Sequence, residues 1–303
     1  MRLFDLHCDT LSVCEQYDCS LLNAPLHLNI RRGLQNEAYF QVFAAFIHDE
    51  LRGEEAKIYG FRLLDIADKA TDEPCVQSIH TAQDIEKAQR EHRCGLIKAV
   101  EGGAILGGDL QTLDQLQARG VKILTLTWNG TNELGNGCMS AESAGLTDFG
   151  KAVVRRMEAL NLFADVSHLN ERGFWDVAQI STSPFLATHS LSKTICCHPR
   201  NLTDEQFDCL RERGGLVGLN LCREHLGEAT FSAFERHLAH FLERDGEKCL
   251  ALGCDFDGTE LPPYWNGIDT LSALEEQLLT DGFGRETVDR LFYQNAYEFF
   301  SNL

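Results

Sequence analysis

The stretch Leu3-Phe4-Asp5-Leu6-His7-Cys8-Asp9 decides how the rest of the chain is read. A short apolar run ends in an imidazole and a carboxylate one residue apart. On an extended strand, residues i and i+2 share a face, so His7 and Asp9 can reach one divalent cation from the end of a first strand. A chance His-x-Asp is common, and the pair alone proves little. It gains weight because Glu101, His168 and His189 each close a further apolar run, which puts five candidate ligands in one kind of position.

Runs of β-branched, aromatic and small apolar residues occur at 3–7, 40–48, 95–101, 121–127, 162–168, 185–189, 216–220 and 249–255. They are short and nearly continuous in hydrophobicity, as strands buried on both faces should be. Helix-like segments lie between them. Thr112 with Gln115, Thr203 with Gln206, Ser232 with Glu235 and Ser272 with Glu275 have capping-box spacing, and 149–160, 171–180 and 286–300 are amphipathic at helical period. Eight strands alternating with helices predict a (β/α)8 TIM-type barrel, one domain over 1–303, with its site at the C-terminal rim of the strands.

Composition narrows the function classes. The 303 residues carry a net charge of -19, which disfavours binding to phosphate backbones and argues against a nucleic-acid partner. The N-terminal segment lacks the apolar core of a signal peptide, and no run approaches the ~20 apolar residues of a membrane span. Twelve cysteines are scattered without zinc-type CxxC spacing. Reduced, mostly buried thiols in a cytoplasmic protein are the expectation, with no membrane partner. A homo-oligomer stays open.

Each candidate site residue has a plainer reading beside the chemical one. Glu101, before two glycines, would serve as a helix cap; as a ligand it can bridge two cations with its two oxygens. A single histidine after a strand is usually a satisfied core residue, but His168 and His189 join a set already holding His7 and Asp9. Three imidazoles and two carboxylates suit zinc or a similar divalent ion. Five ligands exceed one closed tetrahedral site and suffice for two ions sharing a carboxylate, about 3.5–4 Å apart in such sites generally. A pair of that kind lowers the pKa of a bridging water and polarises a carbonyl, so hydrolysis is the expected chemistry. Asp255 ends the eighth run, where it can carry a proton to a leaving amine; Asp257 reads as a turn residue before Gly258. Arg200 is either a surface arginine or a two-point clamp for a substrate carboxylate.

At these residues the chain resembles the membrane dipeptidase (renal dipeptidase) family, zinc dipeptidases of the metallo-dependent hydrolase superfamily. The likeness runs from His7 to about Asn295. It rests on His7-Cys8-Asp9, Glu101-Gly-Gly, Leu124-Thr-Leu-Thr127, Asp165-Val-Ser-His168, Thr188-His-Ser190, Arg200-Asn201 with Asp204-Glu205, and Gly253-Cys-Asp-Phe-Asp-Gly258. The resemblance implies two zinc ions, one on His7 and Asp9, the other on His168 and His189, with Glu101 bridging. It implies Arg200 and Asp255 at the substrate, and cleavage of dipeptides, often with a D-residue at the C-terminal position, by a metal-bridging hydroxide. One departure stands out. The animal members carry a substrate-binding histidine where this chain has Trp128, whose indole donates one N–H and accepts no proton. Other readings remain: an amidohydrolase acting on N-acyl amino acids or cyclic amides, or a barrel that binds a metal or ligand without turnover.

Overall fold

The computed structural model describes residues 1–302. The first run forms strand β1 (Arg2–Asp5), which pairs in parallel with β2 (Ala38–Phe46). β3 (Val76–Ser78) lies at the edge of β4 (Cys94–Glu101), which in turn pairs with β2 and with β5 (Val121–Thr125). β6 (Phe163–Asp165) follows β5, while β7 (Val217–Leu219) and β8 (Leu250–Leu252) lead back to β1.

The gap between β6 and β7 is closed by residues 185–189, through parallel bridges Asp165 to Leu186 and Ala187 to Val217. Leaving aside β3, eight staves thus close a barrel, with 185–189 as the sixth. That sixth stave is predicted as an ordinary strand and is not one. The Thr188 N–H donates to the Asp165 carboxylate at 3.0 Å and the His189 N–H to Ser167 Oγ at 3.1 Å. Side chains have taken the place of ladder carbonyls just where the stave reaches the rim. β3 escapes the sequence reading because Val76-Gln-Ser78 is short and only its valine is buried.

Register puts Phe4, Phe40 and Gly95 side by side, and likewise Val42 with Ile97 and Ala44 with Ala99. Apart from Gly95, these residues belong with Leu6, Ile123, Leu186, Leu216 and Ala251 to one buried cluster fed by nearly every stave, which marks the barrel interior. Phe163 packs against it, and Phe300 stacks on Phe4 at 5.3 Å to close the N-terminal end. Glu101 is in phase with Ile97 and Ala99, so its carboxylate surmounts this core at the opposite end. A second, larger cluster packs the helices onto the outside of the barrel.

Only one of the four predicted capping boxes forms, at Thr203 and Gln206. Thr230 caps the helix Phe231–Leu242 and so displaces Ser232, while Ser272 and Thr112 fall inside the first turns of Leu271–Thr280 and Gln111–Ala118. Thr112 instead donates its hydroxyl to the Leu106 carbonyl. A full box outside the four predicted ones joins Thr81 and Asp84, aspartate replacing the usual Glu or Gln. The predicted helix 286–300 is continuous but loosens into a π-helical turn at Arg290–Gln294, between Arg285–Asp289 and Asn295–Phe300. All twelve cysteines are free, and burial holds the thiols of Cys8, Cys94 and Cys254 well above their ordinary pKa. Six are buried rather than most of them. No described helix is long and apolar enough to cross a membrane.

Candidate metal centre

β1 ends at Asp5, so His7 and Asp9 are not ladder residues but follow it in the segment that leads into the helix Thr10–Tyr17, with Asp9 at its N-cap. That segment is pinned by bonds from Asp255 N to His7 O, from Ala44 N to Cys8 O and from Asp9 N to Phe256 O. His7 Nε2 lies 3.4 Å from Asp9 Oδ2 and 3.3 Å from Glu101 Oε2. The other oxygen of Glu101, Oε1, lies 2.7 Å from His168 Nε2 and 3.6 Å from His189 Nε2. One carboxylate is therefore flanked on its two oxygens by different imidazoles. All five residues are buried, and Asp255 closes a second group with His7 and Asp9.

The surroundings fix which ring nitrogens face inward. His168 Nδ1 donates to Asn129 Oδ1 at 2.9 Å. Thr188 spends its hydroxyl proton on Asp165 Oδ2 at 2.6 Å, so its oxygen accepts from His189 Nδ1 at 2.9 Å. Both rings must then present bare Nε2 lone pairs to the centre, and these lie 2.8 Å apart. Burial, with the nearby charges of Arg200 and His7, holds both rings well below the ordinary histidine pKa, which disfavours a proton between them. Two lone pairs so close repel, and a cation reverses that sign. His7 Nε2 and Asp9 Oδ1 are likewise buried without a hydrogen-bond partner among the described residues. Burial opposes a charge on His7, but Glu101 and Asp9 outweigh it and raise its pKa. This donor set fits a divalent metal.

Backbone strain gathers at the same rim: His168, Asp255 and Asp257 all have positive φ, at 68°, 61° and 66°. At Gly258 a Cβ would sit 2.0 Å from Asp9 Oδ2 and 2.5 Å from Asp255 Oδ1, so only glycine admits both carboxylates there. Burial drives the Asp255 carboxyl well above the usual range, offset in part by His7 and reinforced by Asp9 and Glu101. Asp257 is more than a turn residue. It accepts from Thr10 Oγ1 at 2.6 Å and from His27 N at 2.8 Å, which ties the loop after β8 to the segment after β1.

Trp128 lines a cavity of about 250 Å³ together with Asp9, Glu101, His168 and Asp255. Its indole packs edge-on against Phe46, with ring centroids 5.0 Å apart, and lies 6.4 Å from the ring of His168. Arg200 opens onto a neighbouring cavity of about 160 Å³ that shares His168. It is 5% exposed, donates from Nη2 to the His189 carbonyl at 3.1 Å and leaves Nε without a partner among the described residues. The sequence reading assigned no role to the supports: Asn129, Thr188 and above all Asp165, which takes four hydrogen bonds beneath the histidines. An acidic residue inside the apolar run at 162–168 was the available signal.

A parallel barrel with buried imidazoles and carboxylates at its C-terminal rim defines a metal-dependent hydrolase of the barrel class. The profile of the membrane dipeptidase family (peptidase family M19) matches residues 1–302, and the chain belongs to that family. It is a metallo-dipeptidase, an enzyme that hydrolyses peptide bonds. The crystal structure of the dipeptidase AC, a metallopeptidase of family M19, superposes with a TM-score of 0.92 at 26% identity, over 98% of this chain and 97% of that one. A metallopeptidase from Rhodobacter sphaeroides, liganded with a phosphinate mimic of the dipeptide L-Ala-D-Ala, has the same fold, with a TM-score of 0.91 at 24% identity over 98% of each chain. An uncharacterized protein in the pqqA 5′ region of Klebsiella pneumoniae is 32% identical over 236 residues, which are 74% of this chain and 87% of that protein.

Proposed function

We propose a binuclear zinc dipeptidase that cleaves free dipeptides, including those with a C-terminal D-residue. The observation that carries this reading is the carboxylate of Glu101, whose Oε2 faces His7 while Oε1 faces His168 and His189. In this proposal His7 with Asp9 and His168 with His189 hold one zinc each, and Glu101 is shared. Bound there, the ions polarise a peptide carbonyl and bring the pKa of a water toward ~7.

The chain's own groups do the rest. Asp255, at the cavity wall beside Asp9, receives the proton of the attacking water and passes it to the leaving amine. Arg200, buried with a free Nε, holds the substrate's C-terminal carboxylate and limits cleavage to short peptides. Trp128 forms an aromatic wall where the animal relatives place a histidine. The mimic held by the Rhodobacter sphaeroides protein supports a dipeptide with a D-residue as the substrate class. A cytoplasmic location belongs to the same proposal, as does a soluble catalyst without a nucleic-acid or membrane partner.

The test is a matched set of zinc-reconstituted assays on L,L and L,D dipeptides, their N-acetyl forms and their C-terminal amides. Free dipeptides should be cleaved, and both modifications should impair cleavage severely. In Arg200→Met, the amide should lose little relative to the free acid, because the partner of the carboxylate has already gone. Equal turnover of N-acetylated substrates by the native enzyme would favour an N-acyl amino acid amidohydrolase instead.

A further inference from the structure

The barrel order assigns directions to a bound dipeptide. Counting staves from β1 around the closed sheet, β2 is second and 185–189 is sixth, so they face each other across the barrel. Arg200 is tied by its guanidinium to His189 at the end of the sixth stave. A dipeptide anchored there by its carboxylate must run across the metal centre toward the ends of β1 and β2. In that sector a second cavity of about 440 Å³ opens, and it shares Ser12 and Phe46 with the cavity at the metal centre.

Its composition is two-sided. Val13, Phe46, Leu51 and Tyr59 give an apolar lining, while Glu15 and Glu50 supply carboxylates. Glu15 is engaged by Arg62 through one oxygen at 2.8 Å, whereas Glu50 is exposed and forms no ion pair among the described residues. A side chain with an apolar stem and a cationic head matches both parts, with its methylenes on the aromatic rings and its charge at the carboxylates. We propose that this groove binds the side chain of the substrate's N-terminal residue and selects lysine or arginine there. The inference rests on the dipeptidase reading for its direction and on the groove's own residues for its selectivity.

The experiment compares Lys-Ala, norleucyl-Ala and Glu-Ala, since norleucine reproduces the lysine stem without its charge. The zinc-loaded native protein should show kcat/KM for Lys-Ala above norleucyl-Ala by roughly two- to fivefold, and Glu-Ala lowest, as expected for partly exposed charge pairs. The Lys-to-norleucyl ratio should shrink with added salt and fall close to one in the double variant Glu15→Gln, Glu50→Gln. Because the ratio is taken within each protein, a general loss of folding or metal leaves it unaffected. Calorimetric binding of the same dipeptides supplies a readout independent of turnover. If no dipeptide is cleaved but Lys-Ala still binds more tightly than norleucyl-Ala, the groove stands and the dipeptidase reading fails. Equal kcat/KM and equal affinity across the three, or a preference for lysine that survives the double variant, would overturn the groove.

Discussion

Asp255 and Asp257 lie two residues apart in one loop, both with left-handed backbone, and their surroundings give them different work. Both line the cavity beside Asp9 and Glu101, but the two oxygens of Asp257 are occupied by Thr10 and His27. Asp255→Asn should therefore keep the metal and lose kcat by ~10²–10⁴-fold, the usual worth of general acid–base help. Asp257→Asn should act first on stability, at about 1–3 kcal/mol for weakened buried hydrogen bonds, with the smaller loss of kcat. Metal analysis, thermal unfolding and kinetics of the two variants check this; small, equal losses of kcat at both positions would contradict it. The sequence named the residues that this rim gathers because imidazole and carboxylate stand out at the ends of apolar runs. It gave no role to Asn129 and Thr188, whose importance lies in which ring nitrogen they leave bare, and that is set by contacts with Asn129 and, through Thr188, with Asp165 on other staves.

At the scale of the element, strand identity was legible where burial is continuous, as in Phe40-Gln-Val-Phe-Ala-Ala45 of β2, and failed where side chains replace the ladder, as at Thr188 and His189. Helix starts were harder, because neighbouring threonines and serines compete for the same free N–H groups. Thr230 prevails over Ser232 because its own extended backbone lets the side chain accept from Ala233 N. The helix that it caps, Phe231–Leu242, also carries His237, a fully buried imidazole. His237 accepts from Ser192 N at 3.1 Å, next to the loop that leads to Arg200. Burial lowers its pKa to about 4, although its bond to the Leu226 carbonyl pulls the other way. A depressed folded-state pKa gives stability that is present above the unfolded value, near 6.5, and is lost as pH falls through about 4. The loss should amount to about 3 kcal/mol across that window. Denaturant melts at pH 7 and pH 4 should show this dependence reduced in His237→Gln; an unchanged difference would remove His237 as its source.

The whole molecule separates stability from chemistry along the barrel axis. Phe300 is fully buried and stacks on Phe4 at the N-terminal end, while Glu101 stands at the C-terminal rim. Phe300→Ala should lower the unfolding free energy by about 3–5 kcal/mol through the cavity it leaves. Zinc content of the folded protein should not change, since the substitution is at the far end of the interior from the rim; loss of zinc from folded Phe300→Ala would show that the two ends are coupled. The central claim is that one glutamate serves two cations. Zinc titration of metal-free protein, followed by elemental analysis after removal of unbound ion, tests it most directly. The account predicts a plateau at two ions per chain in the native protein, with both sites weakened together in Glu101→Gln because the shared negative charge is gone and one of the two oxygens becomes an NH2 group. A native plateau at one ion, or a variant that still binds two with undiminished affinity, would contradict it.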